Sequence, residues 1–338
     1  MLIENYVQLM ESGQDLAVGQ MTEAIRRIMS GEVPAELTAQ FLAALHRKGE
    51  TVAEVAGAAA AMRECMLCIQ GKSDRLIDVV GTGGDSSGTF NISTTAAIVT
   101  AACGVPVAKH GNRAVTSRSG ASDVLAQLGV NIEAALPRVQ ECLAEVGICF
   151  CFAPLYHLAM KHVAPVRRQL PHPTVFNLLG PLANPASAPF QLLGVGRAEL
   201  RPLLAEAIGM LGTRRTLVVY GTDGLDEVTL GGTTEVTEVG PEGLRHWEWA
   251  PSDFGLPHVT RDRLQVQGPE ESAARIEAIL LGETGPARDV VLANVGAALW
   301  TVGLVDTLPD GVRQAAEAID SGAARAKLGQ LVEVSCRA

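Results

Sequence analysis

Leu76-Ile-Asp-Val-Val80-Gly81-Thr82-Gly83-Gly84-Asp85-Ser-Ser-Gly88-Thr89-Phe-Asn91-Ile-Ser93-Thr94 runs from an apolar segment through a glycine-rich turn towards a helix. The opening, Leu76 to Val80, reads as a buried strand. It empties into four glycines within the eight residues 81–88, and Thr95-Ala-Ala-Ile-Val-Thr-Ala-Ala then starts a helix that Ser93 or Thr94 can cap. Glycines let backbone N–H groups approach an anion with no Cβ in the way. The helix N-terminus adds free donors and a partial positive charge. Together they read as a phosphate cradle. A second glycine- and hydroxyl-rich loop follows: Lys109-His110-Gly-Asn112-Arg113-Ala-Val-Thr-Ser117-Arg118-Ser119-Gly120-Ala-Ser-Asp123. Cations and amides directly after a strand sit where open α/β sheets place ligands, and two such loops suit a ligand with more than one phosphate.

Outward from this core the pattern alternates. Strands are expected at Leu76–Val80, Val105–Ala108, Ile148–Phe152, Thr174–Leu178, Gln191–Val195 and Thr216–Tyr220. Helical stretches lie between most of them: Thr95–Cys103, Ser122–Leu128, Pro137–Val146, His157–Leu170 and Ala198–Leu211. Three more helical patterns close the chain, near 269–281, 288–303 and 310–333. Upstream, residues 1–70 read as helices only, and Thr51-Val-Ala-Glu54 is a capping-box signature. The expected fold is therefore α/β, with a small N-terminal all-helical domain (1–72, joined by a helical excursion near 157–185) and a large α/β domain (73–338) around a mostly parallel central sheet.

The 338 residues are 47% hydrophobic and 19% charged, which supports a sizeable core and argues against disorder. A net charge of −10 argues against a broad nucleic-acid footprint. The start, Met1-Leu-Ile-Glu-Asn, lacks the apolar run of a secretory signal, and no apolar stretch reaches the ~20 residues of a membrane span. Seven cysteines without framework spacing point to a reduced, cytoplasmic setting.

Each motif has a plainer alternative. The turn at 81–88 lacks the Gly-Lys-Ser/Thr of a Walker A loop, and Ser86 stands where a dinucleotide fingerprint needs glycine. An ordinary βα turn would not need so many glycines beside an Asp, Asn91, Ser93 and Thr94. Asp223-Gly-Leu-Asp226-Glu227 follows a strand; adjacent carboxylates repel unless a cation lies between them. Mg²⁺ takes a few carboxylates plus phosphate oxygens, so the acidic pair and the cradle suit each other, although an Asp-Glu pair alone is usually a surface turn. His157-Leu-Ala-Met-Lys161-His162-Val-Ala-Pro-Val-Arg167-Arg168 reads as a basic helix with 157, 161 and 168 on one face, amphipathic packing or a bidentate carboxylate site. Gly84-Asp-Ser86-Ser-Gly88 matches a nucleophile elbow only literally, because an elbow needs its Ser in the sharp turn directly after the strand and here Gly81–Gly84 intervene. Cys65-Met-Leu-Cys68 is a lone CxxC in a helical pattern and reads as packing.

With these residues in hand, the chain resembles the anthranilate phosphoribosyltransferases, the family that acts second in tryptophan biosynthesis. The resemblance runs nearly end to end. It is carried by Gly81-Thr-Gly-Gly-Asp85, Thr89-Phe-Asn-Ile-Ser-Thr94, Lys109-His-Gly-Asn-Arg113, Met160-Lys-His-Val-Ala-Pro-Val-Arg-Arg168, Thr174-Val-Phe-Asn-Leu-Leu-Gly-Pro-Leu182 and Asp223-Gly-Leu-Asp-Glu227.

The resemblance implies a helical domain hinged to an α/β domain, a homodimer formed through the helical domain, and two Mg²⁺ ions. It also implies residue roles. Gly81, Thr82, Gly83, Gly84, Asp85 and Thr89 would lie along phosphoribosyl diphosphate, with Asn91, Ser93 and Thr94 at its diphosphate and Ser117, Ser119 and Gly120 on the second loop. Lys109 would counter the diphosphate charge, and Ser93, Asp226 and Glu227 would hold the metal. Gly81, His110, Asn112, His157, Arg167 and Gly180 would line the anthranilate path, with Arg167 on the carboxylate. The chain departs from the family pattern at Thr116–Asp123, at Leu158, at Pro171-His-Pro173 and at Tyr220, changes that bear more on the acceptor channel than on the chemistry. Two other readings compete: a pyrimidine nucleoside phosphorylase of the same fold, and a silent relative that binds nucleic acid. Intact Lys109–Arg113 and Asp226–Glu227 motifs weigh against the latter.

Overall fold

The computed structural model describes residues 2–69, 73–113 and 119–337, so the expectation for Ser117 falls outside the described residues. Seven strands form one sheet: β1 (Ile77–Gly81), β2 (Val107–Gly111), β3 (Ile148–Phe152), β4 (Phe190–Gly194), β5 (Arg215–Gly221), β6 (Thr234–Gly240) and β7 (Gly243–Trp249). Their order is β3-β2-β1-β4-β5-β6-β7. β3, β2, β1, β4 and β5 run parallel, while β6 and β7 form an antiparallel hairpin at one edge. From β1 the chain winds outward to β2 and β3, then returns to lay β4 on the other side of β1. That reversal opens a crevice at the carboxyl ends of β1 and β4, the usual ligand position in such sheets.

Alternation along the strands divides the core. Ile77 and Val79 of β1 face one side, packed with the helices Ile92–Ala102 and Pro286–Thr301. Val80 faces the other, in a core shared with Leu193, Val218, the helix Leu200–Leu211 and the N-terminal helices. Those N-terminal helices span Ile3–Glu11, Val18–Met29, Ala35–Lys48 and Val52–Glu64. The capping box forms as expected: the Glu54 backbone N–H reaches Thr51 Oγ1, and the Thr51 N–H reaches Glu54 Oε2 at 2.9 Å. Fully buried Glu54 also accepts from the Leu16 backbone and from Lys48 Nζ, which ties three segments of the bundle together. Val163, Val166, Val175 and Leu179 join the same core, so the segment after β3 leaves the sheet to complete the bundle.

Five expectations are corrected; one is the single helical pattern over 310–333, which breaks at Gly322, φ +78°, into Leu308–Asp320 and Ala323–Ser335. Thr174–Leu178 is no strand: Asn177 Oδ1 accepts from the Thr174 N–H at 3.0 Å, and a short helix, Phe176–Leu179, follows. The single helix over 157–170 is two pieces, a 3-10 turn Leu158–His162 and a helix Ala164–Gln169. Pro165 sits in the first turn of the second piece, where its missing N–H is harmless and its ring cannot follow a preceding α-turn, so 157, 161 and 168 share no helical face. The hairpin β6–β7 was not expected. Thr-Glu-Val-Thr-Glu-Val repeats every third residue, and β7 is exposed up to Trp249, so neither strand shows two-residue apolar alternation. Lastly, the helix after the glycine turn begins at Ile92 with Asn91 at the N-cap position, which makes Ser93 an early helical residue rather than its cap.

Candidate active site

At the carboxyl end of β1, Gly81 lies opposite Gly194 of β4. Both are glycine because the 223–227 turn passes over them. A Cβ on Gly194 would stand 1.6 Å from the Asp226 carbonyl oxygen, and one on Gly81 would stand 2.4 Å from Asp226 Oδ2. The turn itself is folded by Asp223, whose Oδ2 accepts from Thr229 Oγ1 at 2.8 Å and whose Oδ1 accepts from the Leu225 N–H. Asp226 Oδ2 in turn accepts from the Gly83 N–H at 2.8 Å. Gly83 and Gly84 hold φ of +69° and +78°, and Ser86 is held at +53°, a rare conformation for a side-chain-bearing residue. Thr82 crosses to β4, its N–H on the Gly194 carbonyl and its hydroxyl accepting from Gly196 N–H.

The far lip of the turn is fastened by a distant segment. Phe90 N–H donates to the Leu264 carbonyl, Val266 N–H to the Gly88 carbonyl, and Gln265 Nε2 to the Ser87 carbonyl; Thr89 bridges Gln265. Asn91 faces protein rather than an open cleft. Its Oδ1 accepts from Ser119 Oγ at 2.7 Å and Ser272 Oγ at 3.0 Å. The Asn91 side chain therefore fastens the second loop to the cradle, and Gly120 N–H closes onto Asp123 Oδ2. Thr94 is buried behind the helix start, its hydroxyl without a partner.

Charge concentrates beneath this loop. Lys109, 3% exposed, donates from Nζ to the Val79 carbonyl at 2.7 Å and to Ser93 Oγ at 3.2 Å. Glu227 Oε1 accepts from the Ser93 N–H at 3.1 Å and so occupies the helix N-terminus. Burial pushes the Glu227 carboxyl up to about 7 against the pull of Lys109 and the Ser93 N–H. Asp226 is held well above the carboxylate range by burial and by repulsion from Asp85 and Glu227. Burial lowers Lys109, opposed by Asp78, Glu227 and Asp226. One oxygen of Asp85, Oδ2, is buried without a hydrogen-bond partner.

Three carboxyl groups that repel one another, one with an unanswered oxygen, are suited to a hard divalent cation. Among the described residues no group of three or more His, Cys, Asp or Glu side chains is placed to hold a metal ion by itself, so an ion here would need water or phosphate oxygens as further ligands.

The second half of the site pairs two buried histidine rings with one guanidinium, Arg167. His110 Nδ1 donates to the Gly180 carbonyl at 2.9 Å, so its Nε2 accepts from His157 Nε2, 3.2 Å away; this tautomer follows from the hydrogen-bond network. Burial drives His110 down to about 3, helped by His157, and His157 to about 4. Both rings are uncharged at neutral pH. Arg167 lies over the Phe176 ring at 5.7 Å and donates to Asn177 Oδ1 at 3.2 Å. Burial lowers its pKa, and no carboxylate pairs with it among the described residues. Asn112 is exposed, its Oδ1 turned onto the Arg113 N–H.

Sequence reasoning did not anticipate Asp78. It is fully buried in β1, accepts from the His110 N–H at 3.2 Å, and is raised to about 6 by burial. A charged residue inside an apolar strand was the available signal. The clamps from Leu264, Gln265, Val266 and Ser272 had none, because they act largely through backbone and one hydroxyl.

Two family models match the chain. The glycosyl transferase family helical bundle domain covers residues 6–66 and the glycosyl transferase family a/b domain covers residues 73–325. The anthranilate phosphoribosyltransferase of Rhodospirillum rubrum is 49% identical over 98% of this chain and 95% of its own length. That of Rhodopirellula baltica is 49% identical over 95% of this chain and 94% of its own. Among solved structures, anthranilate phosphoribosyltransferase from Thermus thermophilus superposes with a TM-score of 0.92 at 43% identity, covering 98% of this chain and 99% of that one. The Saccharomyces cerevisiae enzyme, in complex with PRPP and Mg, gives 0.91 at 30% identity, with 98% and 97% covered.

Proposed function

The chain belongs to the anthranilate phosphoribosyltransferase family, and from that premise we propose how its own residues act. It transfers the 5-phosphoribosyl group from phosphoribosyl diphosphate to anthranilate, releasing diphosphate and N-(5-phosphoribosyl)anthranilate, in tryptophan biosynthesis. The observation that carries the reading is the paired-glycine crevice at Gly81 and Gly194, with the Asp226–Glu227 turn laid over it.

Gly81, Thr82, Gly83, Gly84 and Asp85 bind the sugar diphosphate, with Thr89, Ser93, Lys109, Ser119 and Gly120 around it. Asn91 acts by joining the two loops. Ser93, Asp226 and Glu227 hold magnesium, two ions by our reading, with Asp85 facing them. Bound there, the metal neutralises diphosphate and makes it a better leaving group. Lys109, buried among Asp78, Glu227 and Asp226, adds positive potential where negative charge develops. Arg167 takes the anthranilate carboxylate, and the uncharged His110–His157 pair, Gly180 and Asn112 wall the ring. The aromatic amine is already neutral, so it needs placement more than deprotonation. Histidines this weakly basic are poor general bases, and none is assigned. The bundle, residues 1–72 with 157–185, closes over the sheet to keep water from the ribose carbon. We further propose a cytoplasmic homodimer through the bundle, whose Leu2 and Val18 are exposed. No helix among the described residues is long and apolar enough to cross a membrane.

The test is the loss of anthranilate fluorescence with phosphoribosyl diphosphate and Mg²⁺. Turnover abolished by EDTA is expected; absence of turnover, or turnover of thymidine with phosphate instead, rejects the reading. Arg167→Gln separates the two substrates. Loss of a charge-assisted pair of about 2 kcal/mol raises the anthranilate KM by ~30-fold. The KM for phosphoribosyl diphosphate stays within about twofold, since nothing it touches moves. Equal rises in both KM values would remove Arg167 from the acceptor site.

A further inference from the structure

Behind the wall that carries Gly180 lies a cavity of about 340 Å³ that the reaction above does not use. Its size falls within the ~300–1,000 Å³ of small-molecule sites. Asp78 and Gln191 form its buried floor, Arg63 and Pro181 line it, and exposed Arg214 stands at its mouth. Neither Asp78 nor Arg63 has an ion-pair partner among the described residues, although Lys109 attracts Asp78. Asp78 Oδ2 is buried with no hydrogen-bond partner. The neighbouring amides donate to backbone, Asn184 Nδ2 to the Ala108 carbonyl and Gln191 Nε2 to the Pro181 carbonyl, and both lie near enough to ease the charge on Asp78. Arg63 donates from Nε to the Leu182 carbonyl at 2.6 Å, and no carboxylate lies within ion-pair distance of it among the described residues. Its guanidinium is desolvated enough to lower its pKa.

A buried carboxylate or guanidinium without an ion pair is costly to keep charged, and hydrogen bonds such as those to the His110 N–H and the Leu182 carbonyl offset only part of that cost. Both face one cavity and do not pair with each other, so a ligand carrying both opposite charges compensates both at once. The same two side chains reach the acceptor subsite. Asp78 holds the His110 N–H, Arg63 holds the Leu182 carbonyl, and Pro181 adjoins Gly180, whose carbonyl fixes the His110 ring.

We propose that this cavity binds a small zwitterionic amino acid, carboxylate on Arg63 and ammonium on Asp78, and that occupancy alters the acceptor subsite through His110 and Gly180. The site is separate from both substrates, so binding does not depend on their assignment, whereas the coupling to the acceptor subsite rests on the function proposed above.

Thermal melting of the full chain with glycine, L-alanine, L-serine or L-glutamine, beside acetate and methylamine alone, tests it. At least one amino acid raises Tm by about 5 °C at ~100 times its Kd, and neither single-charge probe matches it. Arg63→Gln and Asp78→Asn each remove the shift; because either may disturb folding, crystals of the unaltered protein soaked with the stabilising amino acid provide the independent readout, density joining Arg63 to Asp78. With that amino acid bound, the anthranilate KM moves by at least about threefold and the phosphoribosyl diphosphate KM does not. No shift with any of the four, an equal shift with acetate alone, or soaked crystals holding only water in the cavity overturns the site. Binding with an unchanged anthranilate KM overturns its coupling to the acceptor.

Discussion

The double variant Asp226→Asn, Glu227→Gln loses at least ~10³-fold in kcat/KM, yet in EDTA it is more stable than the unaltered protein above neutral pH. The catalytic half follows from removing both charges proposed to hold the metal while keeping the side chains' shape. The stability half follows from linkage. Burial lifts Glu227 from 4.5 to about 7, and Asp226 rises as well because Asp85 and Glu227 repel it. For an acid whose folded pKa is raised, the folded state binds more protons than the unfolded state between the two pKa values. Stability therefore falls as pH climbs through that window, here from about 4.5 to about 7, and stays low above it. For Glu227 alone the penalty is about 3 kcal/mol in the metal-free protein. The double variant cannot pay it, so its melting temperature changes less between pH 5 and pH 8. A residual slope remains from Asp78, raised to about 6. Melting curves at the two pH values, with steady-state rates, check both halves. A near-normal rate, or a pH slope equal to that of the unaltered protein, contradicts the assignment.

Gly194→Ala carries the second large effect. The added methyl would meet the Asp226 carbonyl oxygen at 1.6 Å and its carbon at 2.3 Å. These are backbone atoms of a turn pinned by Asp223 and by Gly83, so no rotamer change relieves the contact. Either β4 shifts against β1 or the 223–227 turn lifts away with both acidic residues. Overpacking of this kind costs about 1–3 kcal/mol, and moving charged groups by an ångström costs ~10²-fold in rate. A lower Tm together with a kcat/KM reduced by at least about 100-fold is expected. Gly329→Ala is the control. Gly329 lies in the helix Ala323–Ser335 with nothing within 4 Å of an added Cβ. There the substitution stabilises by about 0.5–1 kcal/mol and leaves the rate alone. Unaltered kinetics in Gly194→Ala would show that the turn does not need its present seat.

Legibility in the sequence varied with the kind of force involved. Strands buried on both faces, such as Ile148–Phe152, are continuous apolar runs and could be read directly. The edge hairpin could not, because β7 is exposed along nearly all its length and is held by pairing to β6 rather than by burial. Thr174–Leu178 has the composition of a strand but lies in the excursion that completes the bundle, where the Asn177 side chain captures the Thr174 N–H and turns the chain. In the site, residue types that announce their chemistry were legible: the glycines, Lys109, the acidic pair. Their partners were not. That Glu227 would sit on the Ser93 N–H and that Asn91 would bond protein depend on contacts across more than a hundred residues in the first case and on Ser119 and Ser272 in the second.

The stitching of the glycine turn by Leu264, Gln265, Val266 and Ser272 bears on how the chain emerges from a ribosome. Amino-terminal helices, β1 and the first loop are all translated early, but the clamps from Asp226, Leu264, Gln265, Val266 and Ser272 are translated late. A nascent polypeptide stalled before Asp226 has the residues of the cradle but lacks the restraints that Asp226, Leu264, Gln265, Val266 and Ser272 place on it. Affinity for the sugar diphosphate is acquired only near the end of synthesis, after most of the scaffold has already been made.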